Sequence, residues 1–155
     1  MTIDRVDRAI IAELSHDARL SIRTLAERVH VSRTATHTRV QRLITDGVLT
    51  SFAAQVDRKA LGLNVTALVI VKIGNVPWPG IASALAELPF VETVQAVSGD
   101  IDFVLTVSAP DNEQLSEVIL SRIHDMPGVI STRSHVILDE RTGTAPGATV
   151  DVWPV

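Results

Sequence analysis

The sequence predicts an α+β chain, on three observations. From Ser21 to Val48, SIRTLAERVHVSRTATHTRVQRLITDGV reads as two short amphipathic helices around a tight, polar-edged turn, the layout of a helix-turn-helix. Before it, Ile3, Val6, Ile10 and Leu14 recur at steps of three and four, one buried stripe of a bracing helix. After residue 62, segments of strand and helix character follow in the order β-α-β-β-α-β. The expected architecture is a winged-type helix-turn-helix followed by a ferredoxin-like domain.

Each element has a local reason. Ser21 is placed to cap a helix carrying Ile22, Leu25, Ala26 and Val29 on one face, and Ser32 to cap a second carrying Thr36, Val40 and Leu43. Asp46-Gly47 supplies a C-terminal stop. VLTSFAAQVD, from Val48 to Asp57, reads as a strand leaving the helical unit, and RKALG, from Arg58 to Gly62, as a linker turn. Then VTALVIVKI is a strand, PGIASALAEL a helix, VETVQAVS and DFVLTVSA two strands, NEQLSEVILSRIHDM a helix and VISTRSHVILDE the last strand. The middle strands are joined around Ser98-Gly99-Asp100 as a hairpin, whereas each outer strand uses its helix as a crossover. Both helices then cover one sheet face, and the other, expected to be fairly apolar, calls for a second sheet, hence at least a homodimer. Residues 1–48 are expected as the helix-turn-helix domain, 49–62 as connecting strand and linker, 63–140 as the sheet domain and 141–155 as a tail rich in Gly, Thr and Pro. For Trp153 in that tail, burial against another subunit and poor order are both open.

At 155 residues and 46% hydrophobic the chain has ample material for a folded core. No apolar run approaches the ~20 residues that span a bilayer, and MTIDRVDRA lacks the apolar centre of a signal peptide, so a cytoplasmic, nucleoid-associated protein without membrane contact is expected. Zero cysteines exclude disulfides, thiolate nucleophiles and thiolate metal sites. The five histidines are scattered without ligand spacing, no phosphate-binding glycine loop occurs, and Ser98-Gly99 lacks the strand-to-helix setting of a nucleophile elbow. No enzyme, no cofactor and no metal are expected.

The formal net charge of −4 hides a division along the chain. Residues 1–52 hold eight Arg against six acids, whereas residues 53–155 hold six Lys plus Arg against twelve acids. Between Arg23 and Arg42 five arginines face only Glu27, so the basic surplus lies on the two motif helices. This predicts double-stranded DNA as a partner. The early part of the second motif helix enters the major groove in such folds, which nominates Ser32, Arg33, Thr34, His37 and Thr38 at the helix start. Arg33 suits guanine O6 and N7, a threonine suits a thymine methyl, and Gln41 suits adenine or phosphate. Arg23, Arg39 and Arg42 are expected on phosphates. The competing reading makes these arginines solvated surface or partners of Glu27 and Asp46, and His37 an ordinary exposed histidine.

With IDRVDRAIIAELSHDARLS, LAERVHVSRTATHTRVQRLITDGVL, VSGDIDFVLTV and MPGVISTRSHVIL in this order and spacing, the chain resembles the Lrp/AsnC, or feast/famine, family of bacterial and archaeal transcription regulators over residues 3–140. The resemblance implies a RAM/ACT-like second domain and a dimer with two DNA-binding heads. It also implies octamers or open helical assemblies, and a small effector, commonly an amino acid, held between dimers. Arg33 departs from the small residue or proline often found there, pointing to this protein's own operator or to a changed helix start. The family's Gly-Asp-x-Asp segment lines the effector site, which nominates Ser98, Gly99, Asp100 and Asp102. Turn backbone groups suit an amino acid's carboxylate, and Asp100 or Asp102 its ammonium. Ser134 sits where the family usually has threonine, with Thr132 on the same strand face. Against this, Gly99 and Asp100 are also ordinary hairpin residues. Trp78, between Pro77 and Pro79, reads as a dimer-interface anchor or a pocket wall. A sequence-specific regulator gated by a metabolite is therefore expected; the alternative is an architectural protein that wraps or bridges DNA without an obligatory effector.

Overall fold

The computed structural model describes residues 2–143 and 147–148, which fall into two compact units. One holds residues 2–55 with 141–143 and 147–148, and the other is Val56–Glu140. Trp153 lies outside the described residues. Among the described residues, no helix is long and apolar enough to cross a membrane.

The first unit is a three-helix head: α1 (Arg5–His16), α2 (Ile22–Val29) and α3 (Arg33–Thr45). Ile10, Leu25 and Leu43, one from each helix, are fully buried, with Ile11, Leu14 and Val40 around them. Each such side chain contributes about 1.5–3 kcal/mol of burial. Ser21 Oγ accepts from Thr24 N–H and Ser32 Oγ from Ala35 N–H, so both caps form as the sequence requires. The turn between α2 and α3 is made by His30 at φ 56°, a left-handed conformation in which Cβ crowds the backbone. At the other end of α3, Gly47 at φ 72° lets Val48 N–H return to the Leu43 carbonyl at 2.9 Å.

The strand expected over Val48–Asp57 is not formed. The segment runs without a ladder partner among the described residues, and Phe52 and Val56 are exposed. A strand is a paired object, and strand-like composition alone, without a ladder partner, does not make one here. Arg58–Gly62 is a turn, with Gly62 at φ 81°.

The second unit holds β1 (Val65–Ile73), α4 (Trp78–Ala86), β2 (Val91–Ala96), β3 (Phe103–Ala109), α5 (Asn112–Glu117) and β4 (Val129–Val136). The helix begun as α5 continues in π-helical winding over Val118–His124. All neighbours are antiparallel in the order β2-β3-β1-β4, the ferredoxin-like arrangement. Trp78 opens α4 rather than lying in the preceding loop, and remains exposed. The core lies on one sheet face, where Ala67, Val69 and Val71 of β1 and Phe103, Leu105 and Val107 of β3 meet Leu85, Leu115 and Ile123.

Strand alternation puts Thr66, Leu68, Ile70 and Lys72 on the opposite face. Register sets Val104, Thr106 and Ser108 of β3 and Ser131, Arg133 and His135 of β4 beside them. This face is mixed rather than fairly apolar: a Leu68-Ile70-Val104 centre sits among polar and charged neighbours. At one end of the unit, Arg58 grips Glu92 through two nitrogens and Glu140 at 2.7 Å. The Arg58 guanidinium holds the Glu92 carboxyl below its ordinary range, the Ser108 hydroxyl adding to it against the opposing effect of burial.

Candidate nucleic-acid interface and effector site

The buried stripe of α3 is Thr36, Val40 and Leu43, which turns Arg33, Thr34, His37, Thr38 and Gln41 outward along one exposed face. Thr36, buried among apolar side chains, satisfies its hydroxyl by donating to the Ser32 carbonyl at 3.0 Å. Thr38 donates to the Thr34 carbonyl in the same way but from the exposed face. Among the described residues, the side chains of Arg33, His37 and Gln41 make no hydrogen bond or ion pair. Arg33 is the first residue of the helix, directly after the Ser32 cap, so its guanidinium starts at the end that groove-reading helices present to bases. Arg23, on α2, is exposed and pairs with Glu27 one turn along at 3.1 Å.

Arg39 and Arg42, expected on phosphates, are engaged by carboxylates of the α1 start. Arg39 Nη1 donates to Asp4 at 2.6 Å and to Asp7 at 2.8 Å, while Arg42 donates to the other oxygen of Asp7. The Asp7 side chain has no solvent exposure and also accepts the Asp4 backbone N–H, closing a reciprocal capping box on α1. The backbone N–H of Asp7, and then Arg39, hold the Asp4 carboxyl below its ordinary range. Two of the five motif arginines thus fix α3 against α1, and Arg28 fixes α2 to α1 through Glu13 at 2.7 Å. The sequence signal for this was an acid at Asp4 and again at Asp7, three residues apart ahead of an apolar stripe.

In the second unit the six effector candidates do not converge. Val97 and Asp102 close the β2–β3 loop by a 3.0 Å backbone bond, with Ser98, Gly99 and Asp100 exposed at its tip. Gly99 takes φ 122°, and a Cβ there would meet nothing within 4 Å, so the backbone conformation alone demands glycine. Asp102 is spent on structure: its carboxylate accepts Ile73 N–H at 2.8 Å and its own N–H donates to the Val71 carbonyl at 3.1 Å. Thr132 and Ser134 pair in register with Val71 and Val69, both buried on the helix side. Thr132 Oγ1 accordingly meets His124 Nδ1 at 3.2 Å.

Asp100 instead lines a cavity of about 260 Å³ on the open face, with Ile70 and Lys72 of β1, Ile101, and Ser131 and Arg133 of β4. Lys72, Ser131 and Arg133 were not expected there. Alternation along β1 carried the signal, because Lys72 follows Ile70 by two residues. Among the described residues no group of three or more metal-ligating side chains occurs.

A domain model described as the AsnC-type helix-turn-helix domain matches residues 3–44, and one described as the Lrp/AsnC ligand binding domain matches residues 66–145. The transcriptional regulator AldR of Mycolicibacterium smegmatis is 31% identical over 147 residues, 93% of this chain and 86% of that protein. Two solved structures superimpose closely. A feast or famine regulatory protein from M. tuberculosis, complexed with L-methionine, has a TM-score of 0.84 at 30% identity, covering 92% of this chain and 96% of that one. A transcriptional regulator from Neisseria meningitidis, also in an L-methionine complex, has a TM-score of 0.86 at 25% identity, covering 92% and 94%. These relatives regulate transcription and are not enzymes. With both halves of the chain matched in order, the chain belongs to the Lrp/AsnC family of transcriptional regulators.

Proposed function

We propose that this regulator reads its operator through Arg33, Thr34, His37, Thr38 and Gln41, and that an amino acid bound near Asp100 alters its assembly and its DNA occupancy. The observation that carries the reading is the outward stripe of α3, whose polar side chains are held on a braced helix yet uncommitted at Arg33, His37 and Gln41. Arg23 serves phosphate, as does Ser32 through the helix start it caps, whereas Arg39 and Arg42 position α3. The L-methionine complexes of two relatives support an amino acid as effector. The alternative of an architectural DNA-wrapping protein is disfavoured by the charge: such binding lives on phosphate contacts, and here two motif arginines are neutralised internally in a chain of net charge −4.

A homodimer is part of this reading, supported by two unfinished surfaces, and so is further assembly into octamers or open forms, supported by the family resemblance. The segment 51–57 lacks a ladder partner among the described residues and exposes Phe52 and Val56, and the open sheet face exposes its Leu68-Ile70-Val104 centre in part. A second copy completes both. A shift in the spacing of two heads then lets an effector change promoter occupancy without touching α3. The protein is proposed to act in the cytoplasm, at the nucleoid.

Selection of binding sites from random duplexes, with wild type and Arg33→Ala, tests the DNA reading. The wild type is expected to yield a defined motif and the variant to lose preference at one base pair of each half-site, by about 1–3 kcal/mol. An unchanged motif in Arg33→Ala overturns the assignment of Arg33.

A further inference from the structure

The chain passes from the head into the sheet domain between Gln55 and Val56 and leaves it again between Glu140 and Arg141. Both passages meet at one side chain. Arg58 stands just past the first, and Glu140 is the last residue before the second. The Arg58 guanidinium holds Glu140 through Nη1 at 2.7 Å and Glu92 through Nε and Nη2, each at 2.8 Å. Glu92 lies on β2 and Glu140 follows β4, the two edge strands, so the clasp spans the sheet from edge to edge. Apolar burial does little to hold the turn that carries Arg58: within one copy Val56 and Leu61 are 59% and 65% exposed, and Arg58 and Leu63 are the partly buried residues of 51–63. The bond from Leu63 N–H to the Arg58 carbonyl at 2.9 Å shapes the turn without fastening it to the sheet, and Asn64 adds one bond to the Pro110 carbonyl at 3.1 Å. A planar fork that engages two carboxylates at once is an arrangement lysine does not reproduce.

We infer that Arg58 is the positioning residue that fixes where both connections to the head leave the sheet domain, and thereby the half-site spacing that the two heads of a dimer accept. The inference rests on the proposed two-headed dimer and names what sets its reach. It needs no free surface, since all three members of the clasp lie in one chain, whether or not a second copy covers the open face. Isolated surface ion pairs contribute little, but a two-nitrogen grip within a three-member network, with Arg58 and Glu92 only 35% and 30% exposed, is the geometry in which they do. Once one head is on DNA, the other binds at an effective concentration set by how well the tethers match the span between half-sites. A fixed anchor makes that concentration high at one spacing and low at its neighbours. A loosened anchor lets the turn swing, lowers the peak and fills the flanks.

Fluorescence anisotropy of the full chain on duplexes whose two selected half-sites are separated in single base-pair steps across one helical turn, about 10 bp, is the test. The wild type is expected to prefer its best spacing about tenfold or more over one half a turn away. Arg58→Met and Glu92→Gln are each expected to cut that preference to about threefold or less, while affinity for a single half-site stays within about twofold. Circular dichroism and the mass in light scattering are expected to match wild type in both. The two variants change the net charge in opposite senses, so an electrostatic effect on DNA moves their affinities apart, whereas loss of the clasp flattens both profiles. Profiles as sharp as wild type in both variants overturn the inference while the two-headed dimer stands. Affinities that move in opposite directions with the profiles still sharp overturn it too, as does a lower mass in light scattering, which makes the clasp a device of assembly. If the wild type binds every spacing alike, the two-headed dimer and the inference fall together.

Discussion

Replacing Asp7 by Ala tests how the recognition helix is held. The Asp7 carboxylate is fully buried and accepts three donors: Arg39, Arg42 and the Asp4 backbone N–H. A hydrogen bond to a charged group contributes about 1.5–3 kcal/mol, and breaking a buried pair from one side costs about 3–5 kcal/mol. The arginine side chains are 28% and 43% exposed, so water recovers part of that loss, and Arg39 keeps Asp4. Loss of half the capping box adds somewhat under ~1 kcal/mol. We expect a net destabilisation of the head of about 3 kcal/mol. Native-state hydrogen exchange on the full chain reads it directly, with α1 and α3 core amides exchanging about a hundredfold faster and those of β1 and β3 unchanged. In a double-mutant cycle, Asp7→Ala and Arg42→Ala are expected to couple by about 1 kcal/mol or more. Protection equal to wild type, or strict additivity in the cycle, refutes the clamp.

Other expectations address different parts of the chain. Asp4, Glu92 and Asp111 all have folded-state carboxyls held below their ordinary range, Asp4 and Asp111 chiefly by backbone N–H groups and Glu92 by Arg58. Their contribution is present above the ordinary carboxylate range of about 3.9–4.3 and is lost as pH falls through the lower folded values, so thermal midpoints are expected to drop below about pH 4; a flat midpoint from pH 5 to about pH 3 contradicts this. Gly128→Ala meets both a φ of 97° and a Val76 methyl 3.0 Å from the new Cβ, so scanning calorimetry is expected to show a loss of about 1–3 kcal/mol. His30→Gly relieves the left-handed turn between α2 and α3 and is expected to raise head stability by up to about 1 kcal/mol, read by hydrogen exchange; a loss means that the His30 side chain contributes more than its backbone costs.

Periodicity made most of the fold legible. Three helices of the head and the β-α-β-β-α-β order were readable because their apolar residues repeat at helix or strand spacing around Ser, Gly and Pro punctuation. What failed were features that need a partner not adjacent in sequence. Val48–Asp57 has strand composition, but pairing is decided by an edge and not by composition. The last strand, VISTRSHV, has polar residues on both faces, so nothing in it separates Ser131 and Arg133 from Thr132 and Ser134; only register with β1 assigns them. Arg39 and Arg42 look identical in sequence to arginines meant for phosphate, and only the packing of α3 on α1 shows that Asp7, with Asp4 on Arg39, engages them. The outward stripe of α3 was legible because Thr36, Val40 and Leu43 define its opposite.

The most direct measurement of a ligand-gated, sequence-reading regulator is the affinity of the full chain for its selected operator and for a scrambled duplex, each titrated with and without the amino acid that binds. The operator is expected to bind about a thousandfold or more tighter than the scrambled duplex at physiological salt, and the amino acid to shift operator binding by about 5–150-fold. Equal affinity for both duplexes, unmoved by an amino acid that demonstrably binds the protein, contradicts a ligand-gated, sequence-reading regulator.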